Sequence, residues 1–344
     1  MKTRFHIAHA IESTDKRERL NASSPPAPAD VDAVVVNRDG GDALFRALSS
    51  LRAQRAVGVS VVVVDNASGS AERARIAALD PAPRVIAFSR NLGFAGAANE
   101  GIARTGAPFV LLVNNDAVLS ADYAARLAGA LSSDAGLAAV QGLVLSEDGT
   151  RIDSAGLEWN ARGEAVPVLS GRPAGEAPAA PFPVTGVSAT ATMYRRASLE
   201  ALEALEAPGG VEGGAAFDDS FFAYYEDVDL SLRLARAGWR FVCVPAAVAR
   251  HEGARTGRRT PFRRAFWTAR NRWRTLFRNF ESGLVARHLI PILRADLAHV
   301  RAVGWRGVAL PLLVWPRVPF LALRERGGPA GSPGKLSRFP AATP

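Results

Sequence analysis

Four apolar runs, each closed by polar residues, constrain this chain more than any other feature. They read VDAVVVN (31–37), VSVVVVDNAS (59–68), RVIAF (84–88) and FVLLVNND (109–116). A strand with one face in water alternates apolar and polar residues. These runs do not alternate, so both of their faces have to be covered. The segments between them have helical spacing. DALFRALSSLRAQ (42–54) puts Leu44, Leu48 and Leu51 on one face, and SAERARIAAL (70–79) and GFAGAANEGIARTG (93–106) follow the second and third runs. Strand, helix, strand, helix with buried strands predicts an α/β, Rossmann-like fold: a mostly parallel central sheet flanked by helices.

Ligands of such sheets bind beyond the carboxyl ends of the strands. Here those ends carry Asn37-Arg38, Asp65-Asn66, Arg90-Asn91 and Asn114-Asn115-Asp116. One polar strand end is an ordinary turn. Four in succession form a polar rim, which is the candidate site.

Further along, residues 120–140, opening with SADYAARLAGALSS, read as a helix with Ser120 or Asp122 as its cap. The stretch 147–183 is rich in Gly, Pro and charge and reads as an irregular cover over the site or a segment that reads a substrate. TGVSATATMYRR (185–196) returns to strand character, and ASLEALEAL (197–205) to helix. In FDDSFFAYYEDVDLSLRLARAGWRFVCVPAAVARHEG (217–253), the part EDVDLSLRLARAG is helical. Val228, Leu232 and Ala235 share a face, Asp229 and Arg233 pair at i,i+4, and Gly238 fits the C-terminal cap. WRFVCVP is then a strand, from which a short loop leads to His251.

Composition narrows the partners without choosing one. The single cysteine, Cys243, excludes an intramolecular disulfide and a cysteine zinc site, and fits a reducing compartment. The formal charge of +9 calls for an anionic partner: nucleic acid, a phosphorylated small molecule or an anionic membrane. RRTPFRRAFWTARNRWRTLFRNF (258–280) interleaves Arg with aromatics. Such a segment can stack bases. It can equally be an amphipathic helix with Phe262, Phe266, Trp273 and Phe277 inward and its arginines outward, suited to an anionic membrane surface. GVALPLLVWPRVPFLAL (307–323) is broken by Pro311, Pro316, Pro319 and Arg317, and no stretch reaches the roughly 18 apolar residues of a membrane span. Residues 1–30 are polar, end in a Pro/Ala/Ser stretch and lack a signal-peptide core, so a flexible extension is expected there.

Several residues on these elements carry usable chemistry. Asp65 and Asp116 at strand ends can accept hydrogen bonds from a ribose or base, or bind a hard cation such as Mg²⁺ or Mn²⁺ that keeps water and phosphate as its other ligands. Gly93 and Gly96 open a helix whose N-terminus suits a phosphate. In Glu226-Asp227-Val228-Asp229 the helix dipole alone favours acids, and Asp229 already has Arg233 as a partner. Asp227, following the aromatic FFAYY, is the general-base candidate. His251 can be a metal ligand if the fold brings it a carboxylate.

The motifs VVVNRDG, VVVVDNASGS, RNLGFAGAANEGI, VLLVNNDAVL and FDDSFFAYYEDVDLSLRLARAGWRFVCVPAAVARHEG together resemble the family 2 inverting glycosyltransferases of GT-A fold, in particular bacterial rhamnosyltransferase-like members. The resemblance covers about residues 31–280. It implies a nucleotide-sugar donor, Mg²⁺ or Mn²⁺, and displacement at the anomeric carbon with inversion. By this resemblance Asn37, Asp65 and Asn66 bind the base and ribose, and Arg90, Asn91 and Gly93 line the nucleotide pocket. Asn114-Asn115-Asp116 takes the place of the family's DxD motif, with Asp116 as metal ligand and Asn115 beside the ribose and diphosphate. Asp227 matches the general base, and His251 completes the metal site. Asn114 departs from the pattern by bringing no charge.

The expected organisation is a GT-A domain over 31–256, with a nucleotide-binding half (31–140) and an acceptor and catalytic half (141–256), followed by a helical extension over 257–344. The implied reaction moves a sugar, rhamnose from dTDP-rhamnose, to a hydroxyl of a cell-envelope glycan or lipid-linked acceptor. The expected location is the cytoplasm, with peripheral contact at the inner face of the cell membrane and no nucleic-acid partner. Two alternatives remain at this point. A sugar-nucleotide nucleotidyltransferase would carry a Gly-rich basic loop after the first strand, where this chain has NRDGGDALF. A non-enzymatic nucleic-acid binder would use the Arg/aromatic segment.

Overall fold

The computed structural model describes residues 31–206, 215–253, 261–303, 309–324 and 334–340. The expected N-terminal extension, 1–30, lies outside the described residues. The four apolar runs form β1 (Val31–Asn37), β2 (Val59–Asn66), β3 (Arg84–Phe88) and β4 (Phe109–Asn114), all parallel in the order β4-β1-β2-β3. Helices α1 (Asp42–Arg52), α2 (Ser70–Ala77) and α3 (Gly93–Ala103) connect them.

In β1, β2 and β4 the lack of alternation has the expected cause; β3 departs from it, because it is the edge strand and stays largely exposed. Val34, Val62, Val64, Val110 and Leu112 pack under Ala95, Ala98 and Ile102 of α3. Their neighbours Ala33, Val35, Val63, Leu111 and Val113 face the other way, against Leu44, Leu48 and Leu51 of α1. Each fully buried Val or Leu stabilises the fold by about 1.5–3 kcal/mol. Consecutive strand residues therefore contribute to opposite cores. Helix α3 sits close to the sheet because Gly101 has no side chain; a Cβ there would lie 2.3 Å from Val34 Cγ1 and 3.0 Å from Val64 Cγ2.

Beyond β4 the chain departs from the sequence reading in three places. The helix expected over 120–140 is shorter: α4 is Tyr123–Ser133, after a three-residue strand β5 (Ala117–Leu119). Asp122 stands at the cap position, but its carboxylate binds Arg126 and Ser120 rather than a backbone amide. Residues after it form β6 (Leu137–Ser146), a ten-residue strand buried along almost its whole length. Gln141 and Gly142 mask this strand in the sequence. Gln141 is fully buried with its amide bonded to Ser154 Oγ and the Ser188 N–H, and a Cβ on Gly142 would strike the Ala247 carbonyl at 2.3 Å. The supposedly irregular stretch 147–183 contains β7 (Ile152–Ser154), β8 (Leu157–Trp159), β9 (Ala165–Pro167) and β10 (Phe182–Val184).

The strand expected over 185–196 narrows to β11 (Ala191–Arg195). Helices α5 (Arg196–Glu206) and α6 (Glu226–Arg236) follow as expected, with the Asp229–Arg233 pair buried at 2.8 Å and Gly238 at φ 90°. No loop precedes His251. The WRFVCVP strand continues through it as β12 (Arg240–His251), because Pro245 falls in a bulge between Val244 and Val248 where pairing with β6 skips. The sheet has ten strands along β10-β12-β6-β11-β4-β1-β2-β3, with β5 on β12 and β7 on β6. Strands β6 and β12 run with the first four; β11, β10, β5 and β7 run against their neighbours.

The Arg/aromatic segment forms α7 (Pro261–Asn279), followed by α8 (Ser282–Arg287), α9 (Leu289–Val303), α10 (Ala309–Val314) and α11 (Val318–Arg324). Trp273 packs inward with Val228 and Leu232 of α6 and Trp159 of β8. Phe262, Phe266 and Phe277 are only half-buried. The arginines do not all point outward. Arg272 and Arg274 are each 1% exposed, Arg272 bound to Asp296 at 2.6 Å and Arg274 to Asp218 at 3.0 Å. The buried carboxylate of Asp296 and the partly buried one of Asp218, which the sequence pattern does not place, draw them in.

Candidate active site

The rim is cross-linked from strand to strand. Asn37, at the end of β1 and fully buried, accepts from Asn115 Nδ2 at 2.9 Å and from the Gly40 N–H at 3.2 Å; its own amide faces Ser68 Oγ and Glu72. Asp65, at the end of β2, is also fully buried, bonded to the Ser68 N–H and to Arg73 Nε at 2.7 Å. Asn66 donates to the Gly93 carbonyl at 2.8 Å and accepts from the Leu92 N–H at 2.7 Å. Asn91 accepts from the Gly93 N–H at 2.9 Å, and Arg90 is exposed beside it. The strand ends thus fix the loop that enters α3.

That loop is closed from outside. The Phe94 and Ala95 amides donate to the Phe222 carbonyl, at 2.6 and 3.3 Å. The expected phosphate site at the start of α3 is therefore corrected: a backbone carbonyl already takes those donors. Gly93 is required by the same contact, since at φ 79° a Cβ would lie 2.3 Å from Phe222 O. Phe222, Tyr224 and Tyr225 hold φ of 67°, 68° and 70°. Left-handed backbone at non-glycine residues costs about 1–3 kcal/mol each and persists only where the surroundings impose it. Here it precedes Glu226 and Asp227 directly.

Asp227, at the start of α6, accepts from the Ala189 N–H at 3.1 Å and the Val228 N–H at 2.8 Å. One residue on, Thr190 accepts from the Asn114 N–H at 2.8 Å. A single short segment therefore joins Asp227 to the Asn114–Asp116 corner, although they are more than a hundred residues apart in the chain. Burial pushes the Asp227 carboxyl above its ordinary range, against the pull of the Ala189 and Val228 amides. Glu226 is held well above its ordinary value by burial and then by the charge of Asp227. A carboxylate with raised affinity for a proton is suited to general-base work.

Asp116 and His251 meet as well, because β5 pairs with the end of β12 and sets His251 opposite Ala117. His251 Nε2 is 3.1 Å from Asp116 Oδ1, and its Nδ1 is 2.8 Å from Asp153 Oδ2. Burial disfavours the imidazolium, but the hydrogen bonds and charges of Asp116 and Asp153 outweigh it and raise the pKa to about 9. The donor set fits a divalent cation. Two ligands at right angles with bonds of about 2.1 Å stand about 3 Å apart, close to the Asp116–His251 separation. Among the described residues, no group of three or more His, Cys, Asp or Glu side chains converges on one such point. A cation held there would take its remaining ligands from water and the diphosphate of a donor, as Mg²⁺ commonly does. A cleft of about 460 Å³, lined by Ser146, Asp148, Asp153, His251 and Glu252, opens beside this pair.

Sequence reasoning named Asp116, His251 and Asp227 as candidates and did not single out Asp153, Glu72 or Asn271, which the fold brings against the same segments. Asp153 lies in the segment read as irregular, with no motif around it. Glu72 accepts from the Gly41 N–H at 3.0 Å and looks in sequence like any helix-dipole acid. Asn271 is one polar residue in an Arg-rich helix.

The parallel strands with an antiparallel insertion, the polar rim at their carboxyl ends and a carboxylate facing that rim are the plan of a GT-A glycosyltransferase. Residues 32–203 match the profile of glycosyl transferase family 2. The chain is 30% identical over 251 residues to an N-acetylglucosaminyl-diphospho-decaprenol L-rhamnosyltransferase of Mycobacterium tuberculosis, covering 65% of this chain and 77% of that one. It is 37% identical over 131 residues to the succinoglycan biosynthesis protein ExoO of Rhizobium meliloti, covering 37% of this chain and 38% of the relative's length. A crystal structure of GalNAc-T7 with UDP, GalNAc and Mn²⁺ superposes with a TM-score of 0.55 at 15% identity, over 75% of this chain and 49% of that one. The chain belongs to glycosyl transferase family 2.

Proposed function

We propose that this protein is a metal-dependent inverting glycosyltransferase that moves a sugar from a nucleotide-sugar donor to a hydroxyl of a cell-envelope glycan or lipid-linked acceptor. The observation that carries the reading is the link from Asn114 through Thr190 and Ala189 to Asp227. It sets a proton-accepting carboxylate beside the corner that bears the metal-ligand candidates.

Asn37, Asp65, Asn66, Arg90, Asn91, Gly93 and Asn115 form the donor side. Asp65 and Asn66 act mainly by fixing the rim, since their polar atoms are bonded within it. Asp116 and His251 would hold Mg²⁺ or Mn²⁺, which supplies positive charge against the developing charge of the leaving diphosphate. Asp227 removes the proton from the acceptor hydroxyl as its oxygen attacks the anomeric carbon. Attack opposite the leaving group inverts that carbon. Asn114 presents no charge at this corner, so the carboxylate of Asp116 carries the metal interaction. The family resemblance and the L-rhamnosyltransferase relative favour dTDP-rhamnose as donor. An amphiphilic acceptor agrees with the exposed residues of the C-terminal helices. Leu289, Ile290, Leu297, Leu312, Leu313, Phe320 and Leu323 are seven of the nine large hydrophobics exposed among the described residues. Among the described residues from 281 to 323, the exposed charges are Glu281, Arg287, Arg294 and Arg317, three of them basic. This favours peripheral contact with an anionic membrane. Among the described residues, no helix is long and apolar enough to cross one.

The test is a donor screen. The protein is incubated with Mg²⁺ or Mn²⁺ and a panel of nucleotide sugars, and release of nucleoside diphosphate is measured. Turnover of one donor, dTDP-rhamnose above the others, is expected, lost with chelator. No release from any donor, with or without a polyprenyl-diphosphate-sugar acceptor, would sink the proposal.

A further inference from the structure

Asn271 lies in the middle of α7, a helix whose sequence suggested an inward aromatic face and an outward arginine face, with no role for this residue. Its side chain is fully buried. The amide nitrogen Nδ2 faces three backbone carbonyls: Phe221 at 2.9 Å, Ala223 at 3.0 Å and Tyr224 at 2.8 Å. These belong to the loop with the left-handed residues Phe222, Tyr224 and Tyr225. Neighbours on the same helix hold the same loop. Arg270 donates to the Ser220 carbonyl at 3.1 and 3.2 Å, Arg274 to Ser220 Oγ and Asp218, and Trp267 stacks on Phe222 with centroids 5.3 Å apart. The loop has two outlets. One is the Phe222 carbonyl, which caps α3 at Gly93 beside Asn66 and Asn91. The other is Tyr225, after which α6 begins with Glu226 and Asp227.

We propose that Asn271 is a positioning residue: by holding the carbonyls of Phe221, Ala223 and Tyr224 it imposes the left-handed loop, and through it sets Asp227 and the entry of α3 relative to each other. Alanine at 271 removes the side-chain donor from three clustered carbonyls, of which Phe221 O keeps the Ala223 N–H at 2.8 Å, and the loop relaxes to ordinary dihedrals. Asp227 then shifts while the strand ends stay in place. The kinetic part of this inference rests on Asp227 being the base; the structural part does not.

The experiment is Asn271→Ala in the full chain, followed by hydrogen exchange without ligand, dTDP titration and steady-state transfer. Exchange is expected to rise in peptides covering 93–96 and 220–228, with β4 and β11 unchanged. kcat should fall about 10- to 100-fold, as for a reacting group displaced by about 1 Å, with a smaller loss of dTDP affinity and the pH profile of kcat/KM retained. Unchanged exchange at both segments, or an equal rise across β4, would overturn the proposal and make Asn271 an ordinary core contact. If exchange changes as expected but Asp227→Asn remains active, the base reading fails and the coupling stands. Should Asn271→Ala not fold, Arg270→Ala loosens the same loop at the Ser220 carbonyl. It is read at the same two segments, where no change would likewise overturn the proposal.

Discussion

The two sides of the site are built by different means. On the proposed donor side, Asn37, Asp65 and Asn66 sit at the ends of adjacent parallel strands, and strand register puts them together. On the proposed acceptor side, Asp227 follows a loop in disfavoured dihedrals, held by a helix some fifty residues further on. The first arrangement follows from pairing that the apolar runs dictate. The second exists only while distant groups impose it. A rim made of strand ends is stiff by construction, whereas a base on an imposed loop can be displaced without unfolding the sheet.

The sharpest test of that contrast is Asp227→Asn. The change keeps the shape and removes the proton acceptor, so transfer should fall by about 10²–10⁴, the usual worth of a positioned acid or base, while dTDP still binds. In the unmodified protein the raised pKa of Asp227 sets the sign of the pH dependence. The base must be ionised to act, so kcat should fall as pH drops, with the acid limb above the ordinary carboxylate range. A limb at or below that range would break the assignment.

The metal corner comes next in size. Asp153 holds His251 Nδ1 and thereby turns Nε2 toward Asp116. Asp153→Asn should weaken Mn²⁺ binding by about 10- to 100-fold, the common cost of losing an outer partner of a metal-ligating histidine. Calorimetry or electron paramagnetic resonance with Mn²⁺ alone would read this. Unchanged Mn²⁺ affinity would remove Asp153, and with it the paired reading of Asp116 and His251.

The smallest effect is expected on the donor side, and on stability rather than chemistry. Gly101→Ala drives a methyl into Val34 and Val64. Overpacking of this kind costs about 1–3 kcal/mol, seen as a lower melting midpoint. Turnover per folded molecule should hold at low temperature, because the strand ends do not move. Loss of turnover without loss of stability would show the rim to be less rigid than the comparison claims.

How much of this was legible follows the same division. β1, β2 and β4 with their helices were readable because Val- and Leu-rich runs admit one burial solution; β3 was read as a strand, but its place at the exposed sheet edge was not. The later strands were not. β6 hides behind Gln141 and Gly142, whose presence is explained only by Ser154, Ser188, Tyr123 and Ala247 across the fold. β12 hides behind Pro245, tolerated because a bulge removes its pairing position. The inward Arg272 and Arg274 were invisible for the same reason, since their carboxylates come from other elements.

By itself, the sequence determined the parallel sheet, the polar rim at its strand ends and the family to which the chain belongs. Local apolar pattern, chain connectivity and the motifs taken together suffice for those. Only the tertiary structure decided that the start of α3 is closed by Phe222, that Asp153 turns His251 toward Asp116, and that Asn271 shapes the loop before Asp227. Each of these depends on hydrogen bonds between residues far apart in the chain, whose partners no local spacing specifies.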